Sequence, residues 1–155
     1  MQTLVLGIGN TLLSDEGVGV HSIYYLQDNH PDLPNTTLID GGTLSFTLAA
    51  DIEDADSLIV IDAAQLHAEP GTVKTFINED MDAFLGQGNK RSVHEVGLLD
   101  LMHISRLSGH FPKQRALIGI QPQKLDWGEE PTADVSAAIP RVCQQVVDQI
   151  RSWQA

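Results

Sequence analysis

The chain has 155 residues and a formal charge of −12, from 21 acidic and 9 basic residues. The bases form no dense patch of the kind that neutralises phosphates, so nucleic-acid binding is not expected. No apolar run approaches the roughly 18 residues of a membrane span, and the mean hydropathy of −0.07 is typical of a globular protein. The single cysteine, Cys143, and an N-terminus without a basic signal region favour one cytoplasmic domain over residues 1–155.

The first 27 residues predict the opening half of a βαβ unit. Residues 3–8 form a continuous apolar run, which is typical of a strand covered on both faces. The glycines of Gly7-Ile8-Gly9 permit a tight turn, and a helix is expected from about Glu16 to Gln27. Its inner face is predicted to carry Val20, Ile23, Tyr24 and Gln27. Ligands of such units bind beyond the carboxyl ends of the strands, where the adjacent acids Asp15 and Glu16 fall.

Two interpretations of this turn arise from its residues alone. A dinucleotide fingerprint would begin at Gly7-Ile8-Gly9, but its third glycine would fall at Leu12, and two acids would face the pyrophosphate. Alternatively, Asp15 and Glu16 are solvated acids at a helix N-terminus, where the helix dipole favours negative charge. The fingerprint is therefore disfavoured, whereas the second interpretation suits either acid alone.

The next two predicted strands each end at an acid. Residues 36–39 predict a short second strand, which the glycine turn Asp40-Gly41-Gly42-Thr43 ends, and a helix is expected over about 44–51. Residues 57–61 are wholly apolar after Ser57 and predict a third, fully buried strand. Asp62 lies at the carboxyl end of that strand.

The second half of the chain predicts two strands and two helices. Residues 72–77 alternate in polarity like an edge strand, for which an antiparallel orientation is expected, and polar residues 78–90 predict a mobile loop. A helix over about 96–108 and a strand over 115–120 follow. The last helix follows Asp134, and Pro140 must either kink it or mark its start. The alternation predicts an α/β fold: a three-layer sandwich with a twisted, mostly parallel sheet of about five strands and helices on both faces.

Three side chains are candidates for chemistry. Glu16 and Asp62 lie at or just past the carboxyl ends of strands one and three, where open α/β sheets form their ligand crevice. His94, in Ser92-Val93-His94-Glu95, is the third. Two carboxylates and an imidazole suit zinc, nickel or a similar divalent ion, with coordination positions left open.

Each candidate also has a structural interpretation. An Asp after a buried strand commonly forms a turn or a cap, and residues 92–95 have the form of a capping box. His94-Glu95 is not a zincin motif, because Leu98 stands four residues after His94. Spacing alone does not bring the three candidates together, since each comes from a different element.

Several motifs, in this order along the chain, resemble those of one family. Residues 4–20, the Ile-Val-Ile-Asp-Ala segment at 59–63, the segment around His94, and Gly-Ile-Gln-Pro at 119–122 resemble the hydrogenase maturation endopeptidases. Those proteases trim the C-terminal extension from the large subunit of nickel–iron hydrogenases. The resemblance covers most of the chain and is weak at residues 65–91 and 126–134.

The resemblance implies a metal-dependent endopeptidase of aspartic or metal-assisted type, with Glu16, Asp62 and His94 as both catalytic residues and metal ligands. Its substrate would be the nickel-loaded precursor of a nickel–iron hydrogenase large subunit. That substrate would supply the nickel, and zinc or cadmium could replace it in a crystal. The resemblance further assigns substrate recognition to Asp40-Gly41-Gly42-Thr43. We expect a monomer whose three ligands meet in one crevice, about 2.0–2.2 Å from the ion.

The metal, a bound water and a carboxylate are all candidates for the group that attacks the peptide bond. The chain contains no Gly-x-Ser-x-Gly elbow, and Cys143 is expected to be an inert core thiol on the apolar face of the last helix. A water activated by a metal is the economical choice. Two alternatives remain: a hydrolase like peptidyl-tRNA hydrolase, disfavoured by the missing basic patch, and a nickel carrier or scaffold that uses the same ligands without cleaving anything.

Overall fold

The computed structural model describes residues 1–42, 47–87 and 93–155, apart from the side chains of residues 93–96. Within these ranges five strands lie at Thr3–Ile8 (β1), Thr36–Gly42 (β2), Ser57–Ala63 (β3), Val73–Ile77 (β4) and Gln114–Ile120 (β5). Five α-helices lie at Val18–Asn29 (α1), Leu48–Asp54 (α2), Glu79–Leu85 (α3), Val93–Ser108 (α4) and Ala133–Gln154 (α5). A 3₁₀ turn, Ser14–Gly17, precedes α1.

The strands form one sheet in the order β2-β1-β3-β5-β4. The pairs β1–β2, β1–β3 and β3–β5 are parallel. The edge strand β4 pairs antiparallel with β5, as predicted. The predicted α/β class and mostly parallel five-stranded sheet are therefore confirmed, and the carboxyl ends of β1, β2, β3 and β5 meet at one edge of the sheet.

Side-chain alternation along the strands divides the core into two layers. On one face, Val5 of β1 and Ile59 of β3 pack against α1 and α5. On the other face, Leu6 of β1 and Val60 of β3 pack against α2, α3 and α4. Because successive strand residues point to opposite faces, a strand buried on both sides must be apolar throughout, which is why β1, β3 and β5 have the most strongly apolar sequences. The three-layer sandwich is thus confirmed.

The boundaries of the first helix differ from the prediction. Residues 14–17 form the 3₁₀ turn, and α1 runs from Val18 to Asn29, two residues beyond Gln27. Val20 and Ile23 are buried, but Tyr24 is 47% exposed, Gln27 is also exposed, and Leu26 packs into the core instead. Helical spacing groups Tyr24 with the buried residues, whereas its hydroxyl donates to Asp40 outside the core.

Strand β2 is longer than predicted, because Asp40, Gly41 and Gly42 belong to it. The register shifts between Gly7 and Ile8, so that Ile8 pairs with Gly42, and the N–H of Gly9 donates to the Gly42 carbonyl at 2.8 Å. The predicted glycine turn is therefore a bulged continuation of the strand. In place of the helix predicted over residues 44–51, α2 begins at Leu48 after its N-cap Thr47 and ends at Asp54. Residues 43–46 lie outside the described set.

Three predictions in the second half of the chain are corrected or decided by the structure. Part of the expected loop at 78–90 is the helix α3, because Met81 and Leu85 are one turn apart and bury together while acids in its first turn suit the helix dipole. Helix α4 begins at Val93, not Val96. Pro140 does not mark the start of α5, which begins seven residues earlier and carries the proline on its exposed face. No described helix is long and apolar enough to cross a bilayer.

Candidate active site

The glycine turn fits tightly onto the ends of the central strands. Gly9 has φ +136°, and a Cβ there would overlap the carbonyl oxygen of Glu16. A Cβ on Gly19 would overlap the carbonyl oxygens of Ile61 and Ile8. Only residues without side chains permit these approaches. The turn that carries Glu16 is therefore pressed against the carboxyl ends of β1 and β3.

The predicted ligands come from three elements. Glu16 lies in the 3₁₀ turn, is partly exposed, and its turn contacts β3. Asp62 lies in β3, the middle strand of the sheet, and is only 2% exposed. His94 lies in the first turn of α4, but its side chain is outside the described set. The structure thus relates the two acids through the packing of the turn on β3, and convergence with His94 stays a prediction.

The chemistry of this donor set suits a divalent ion of borderline softness, which accepts carboxylate oxygen and imidazole nitrogen. Among the side chains that the structure describes, no group of three or more His, Cys, Asp or Glu is arranged to hold a metal. This result applies to Glu16 and Asp62 but not to His94, whose side chain is outside the described set. Glu16, in the turn that follows β1, and Asp62, near the end of β3, therefore fit part of a metal site whose third donor would come from α4.

Asp15, beside Glu16 in the sequence, has a different role. Its carboxylate is fully buried and accepts hydrogen bonds from the backbone N–H groups of Gln123 (2.8 Å), Lys124 (2.9 Å) and Thr132 (2.6 Å). The Thr132 hydroxyl also donates to it, at 2.9 Å. Because Thr132 is the N-cap of α5, the carboxylate lies where that helix dipole favours negative charge. Asp15 thus holds the segment 123–132 against the turn.

The titration of Asp15 reflects this environment. Burial alone would raise the pKa of its carboxyl, but the hydrogen bonds from Lys124, Gln123 and Thr132 outweigh burial and hold the pKa below its ordinary value of 3.8. The acid therefore stays ionised and structural at neutral pH. The sequence interpretation of solvated acids at a helix N-terminus is wrong for Asp15, since its side chain is not in solvent.

The predicted recognition motif borders a polar pocket of about 600 Å³. Asp40 is exposed at the end of β2, where its carboxylate accepts a hydrogen bond from the Tyr24 hydroxyl at 2.6 Å and another from the Gly42 N–H at 2.9 Å. Gly42 also lines the pocket. Gly41 faces the other way, because a Cβ there would lie 2.7 Å from a methyl of Leu6. Thr43 lies outside the described residues.

Three exposed apolar side chains, here called the apolar rim, belong to the glycine turn that lines this pocket and to the segment that is hydrogen-bonded to that turn. It consists of Leu12, Leu125 and Trp127, which are 49%, 53% and 76% exposed. Backbone hydrogen bonds join the two segments, because the N–H of Gly128 donates to Leu12 at 2.9 Å and Gly128 accepts from Ser14 at 2.8 Å. The three side chains are thus carried by two segments that the backbone hydrogen bonds join.

Cys143 takes no part in the site. The thiol is fully buried in the core between α1 and α5, and burial raises its pKa to about 12. The expected inert core thiol agrees with both observations.

Comparison with known sequences supports the resemblance. A family model described as hydrogenase maturation protease matches residues 20–149. The hydrogenase expression/formation protein HupD of Rhizobium leguminosarum bv. viciae is 38% identical over 151 residues, which cover 97% of this chain and 74% of that protein. The hydrogenase 2 maturation protease of Escherichia coli strain K12 is 35% identical over 152 residues, which cover 97% of this chain and 92% of that protein.

Solved structures agree with these sequence matches. The hydrogenase maturating endopeptidase HybD from Escherichia coli superposes with a TM-score of 0.89 at 35% identity, covering 98% of this chain and 93% of that one. The [NiFe] hydrogenase maturation protease HybD from Thermococcus kodakarensis gives a TM-score of 0.81 at 25% identity, with coverages of 96% and 98%. The sheet order and helix placement described above are therefore those of a known group of proteins.

Proposed function

We propose a function from one premise: this chain belongs to the hydrogenase maturation protease family. Membership makes it a peptidase and removes the alternative of a peptidyl-tRNA-hydrolase-like enzyme. Its reaction is the removal of the C-terminal extension from the precursor of a nickel–iron hydrogenase large subunit. Cleavage follows insertion of nickel into that precursor, so the ion belongs to the substrate.

One observation carries the assignment of the site. Asp62, almost wholly buried, lies one residue before the end of the middle strand of the sheet, and the turn that carries Glu16 contacts that strand. An ionisable side chain buried at the ligand end of a parallel sheet costs free energy, and proteins retain such groups for function. This position supports Glu16 and Asp62 as two ligands, with His94 as the third.

In the proposed reaction the residues of this chain bind the nickel of the precursor and orient the peptide bond beside it. Glu16, Asp62 and His94 take up coordination positions on the nickel of the precursor, which fixes the adjacent peptide bond over the ends of β1 and β3. A divalent ion supplies Lewis-acid chemistry, by polarising a carbonyl or by activating a water. A precursor without the ion lacks this anchor, so the same contacts would test whether metal insertion is complete.

The surface around the site recognises the rest of the substrate. Asp40, Gly42 and Thr43 contact the precursor at the end of β2, while the apolar rim of Leu12, Leu125 and Trp127 covers apolar side chains beside the cleaved bond. Gly41 supports this edge from within, because its missing side chain leaves room for Leu6. The enzyme works as a cytoplasmic monomer that meets its partner only during maturation.

Cleavage of a defined precursor tests the proposal. The purified protein is mixed with nickel-loaded large-subunit precursors, and in parallel with the same precursors prepared without nickel. We expect a mass loss on a gel and a released C-terminal peptide by mass spectrometry, only in the loaded samples. The Glu16→Gln variant serves as the inactive control.

Three outcomes contradict the proposal. Equal cleavage of loaded and unloaded precursors would exclude recognition through nickel. Nickel transfer or binding without any peptide released, across several precursors, would favour the carrier or scaffold alternative. Cleavage at sites away from the C-terminal extension would show a different protease specificity.

A further inference from the structure

The turn that carries Glu16 is held by two sets of contacts. At the sheet, a Cβ on Gly9 would overlap the carbonyl oxygen of Glu16, so the Glu16 peptide lies close against the end of β1. The turn is also hydrogen-bonded to the segment 123–132, which connects β5 to α5. The place of Glu16 therefore depends on both the sheet and that segment.

Ser14, the first residue of the turn, has a strained backbone. Its φ of +52° lies in the left-handed region, which is costly for a residue with a side chain. Its N–H donates to the Gly128 carbonyl at 2.8 Å, and its hydroxyl donates to the Asp126 carbonyl at 2.8 Å. Strain of this kind persists only where surrounding contacts fix it, and it clusters at functional sites. The segment 123–132 thus imposes the conformation of the turn.

Asp15 fastens the turn to the same segment through both its backbone and its side chain. Its N–H donates to the Lys124 carbonyl at 3.0 Å. One oxygen of its fully buried carboxylate accepts from the N–H groups of Gln123 and Lys124, and the other accepts from the N–H of Thr132. Because these donors lie at the two ends of the segment, the carboxylate fixes the turn in position.

The position of Glu16 follows from that of Asp15. Consecutive Cα atoms are about 3.8 Å apart, so a shift of Asp15 is passed to its neighbour. A metal ligand must lie within about 0.5 Å of its productive position. A ligand that is ordered beforehand also loses less conformational freedom when the metal arrives. An ordered turn therefore strengthens coordination by Glu16.

We propose that Asp15 is a positioning residue, which holds the carboxylate of Glu16 where it coordinates the nickel of the precursor. The inference rests on the proposed function for the ligand role of Glu16. It adds that affinity for the loaded precursor depends on Asp15, although the Asp15 carboxylate is buried. Loss of positioning should weaken docking and leave the chemical step nearly intact, because coordination is made when the precursor binds.

Hydrogen exchange tests the positioning without precursor or metal. The amides of Ser14, Asp15 and Glu16 all donate to backbone carbonyls, so their exchange measures local opening of the turn. Asp15→Asn keeps the size of the side chain, but its NH₂ group must face N–H donors at one end of the segment. We expect the three amides to exchange at least about tenfold faster in this variant.

Ile150→Ala is a control of similar instability. Ile150 is fully buried toward the far end of α5, about 27 Å along the helix from Thr132. The cavity should lower the unfolding free energy by an amount comparable to that of Asp15→Asn. The turn amides should nevertheless exchange within about threefold of the wild-type rate, because their opening is local. Equal acceleration in both variants would show general loosening and overturn the inference.

Cleavage of the nickel-loaded precursor gives the functional readout, at a temperature where every variant is folded. Asp15→Asn should raise KM at least about tenfold with kcat within about threefold, whereas Ile150→Ala should leave both within about twofold. Thr132→Val removes a hydroxyl that donates to Asp15 but no capping bond. It should change exchange and KM in the same direction by a smaller factor, and it decides the question if Asp15→Asn does not fold.

A double variant identifies the group through which Asp15 acts, since the fastened segment also carries Trp127 of the apolar rim. If Asp15 acts through Glu16, the increases in KM from Asp15→Asn and Trp127→Ala should multiply. A double variant whose KM is no higher than that of Asp15→Asn alone would mean that Asp15 acts through the rim, and the inference would be overturned.

The inference and the proposed function fail separately. Unchanged exchange at the turn in Asp15→Asn, or an unchanged KM despite faster exchange, overturns the positioning role while cleavage by the wild type stands. A wild-type enzyme that cleaves no loaded precursor overturns the proposed function and the ligand role of Glu16, whatever the exchange rates.

Discussion

At the β4 edge of the sheet Asp82 of α3 meets two arginines, whereas at the β2 edge Asp40 meets none among the described residues. Asp82 accepts from the Arg115 guanidinium at 2.9 Å and pairs with Arg106 at 3.1 Å. Arg115 is 7% exposed and also donates to the Lys113 carbonyl at 3.0 Å. Asp40 has only Tyr24 and a backbone N–H.

The difference separates acids that build the fold from acids left open to a partner. The Arg115 hydrogen bond holds the pKa of Asp82 below its ordinary range, with burial opposing and Arg106 assisting. Both arginines also lie over the Phe111 ring, at 4.1 Å for Arg106 and 4.6 Å for Arg115. Both carboxylate oxygens of Asp82 already accept hydrogen bonds from arginines, so we expect recognition at the other edge.

The largest effect is expected at the proposed ligands. Glu16→Gln, Asp62→Asn and His94→Ala should each lower processing of a loaded precursor by about a thousandfold or more, while the free protein melts at the same temperature or slightly higher. Without metal, carboxylates held close together disfavour each other's charge, so neutralising one relieves repulsion. Thermal melting beside the cleavage assay measures both quantities. Variants that melt several degrees lower yet still cleave would falsify the ligand assignment.

The neighbouring acids Asp15 and Glu16 give the sharpest contrast in stability. Asp15→Asn removes a charged acceptor that satisfies several buried donors, so we expect a loss of about 2–4 kcal/mol in the free energy of unfolding. Glu16→Gln should leave that quantity nearly unchanged. Urea unfolding of the two variants and the wild type measures the difference. Equal destabilisation by both would mean that the division of roles within this pair is wrong.

The pH dependence of stability follows from the same contacts. Because the folded-state pKa of Asp15 lies below its ordinary value of 3.8, the wild type should keep this stabilisation above about pH 4 and lose it as the pH falls through the folded-state pKa. The pKa of Asp82 is also lowered, so its contribution to the unfolding free energy should likewise be lost as the pH falls. Asp15→Asn should therefore show a flatter decline of unfolding free energy between neutral pH and acid. A parallel decline in both proteins would contradict the assignment.

The two edges of the sheet can be compared by one matched pair of substitutions. Asp82→Asn leaves the buried Arg115 without its carboxylate, which should cost about 2–3 kcal/mol, below the usual range for a buried pair because Asp82 is partly exposed. Asp40→Asn, at an exposed site, should change stability by no more than about 0.5 kcal/mol. The same unfolding experiment measures both. A large loss at Asp40 would make it a structural acid as well.

Much of the fold was predictable because burial on two faces requires apolar strands. β1, β3 and β5 were found almost to the residue, as was the antiparallel edge strand β4. Helix α3 was not predicted, because only Met81 and Leu85 are buried among its mostly polar residues. Two apolar residues one turn apart are too few to show helical periodicity in the sequence. The bulge at Gly42 was missed because strand pairing, not local sequence, extends β2.

The candidate site was predictable only in part. The acids at strand ends follow from topology, so Glu16 and Asp62 could be proposed from the sequence. The structural role of Asp15 could not be predicted from the sequence, because its hydrogen-bond partners lie more than a hundred residues away. The apolar rim likewise results from tertiary packing. Periodicity groups Tyr24 with the buried residues of α1, whereas its hydroxyl donates to Asp40 at the pocket.

The smallest expected effect tests whether the Tyr24–Asp40 hydrogen bond orients the open carboxylate in solution. The hydrogen bond that the Tyr24 hydroxyl donates to Asp40, together with the negative charge of Asp40, raises the pKa of Tyr24 above its ordinary value of 10.0. The chain has only two tyrosines, so a Tyr25→Phe background leaves Tyr24 as the sole phenol in an ultraviolet titration. Adding Asp40→Asn should lower its pKa back toward 10, because both causes are removed, whereas Asp54→Asn should not. Identical titration curves for all three proteins would mean that Tyr24 does not hold Asp40, and the fixed acceptor geometry of the pocket would be lost.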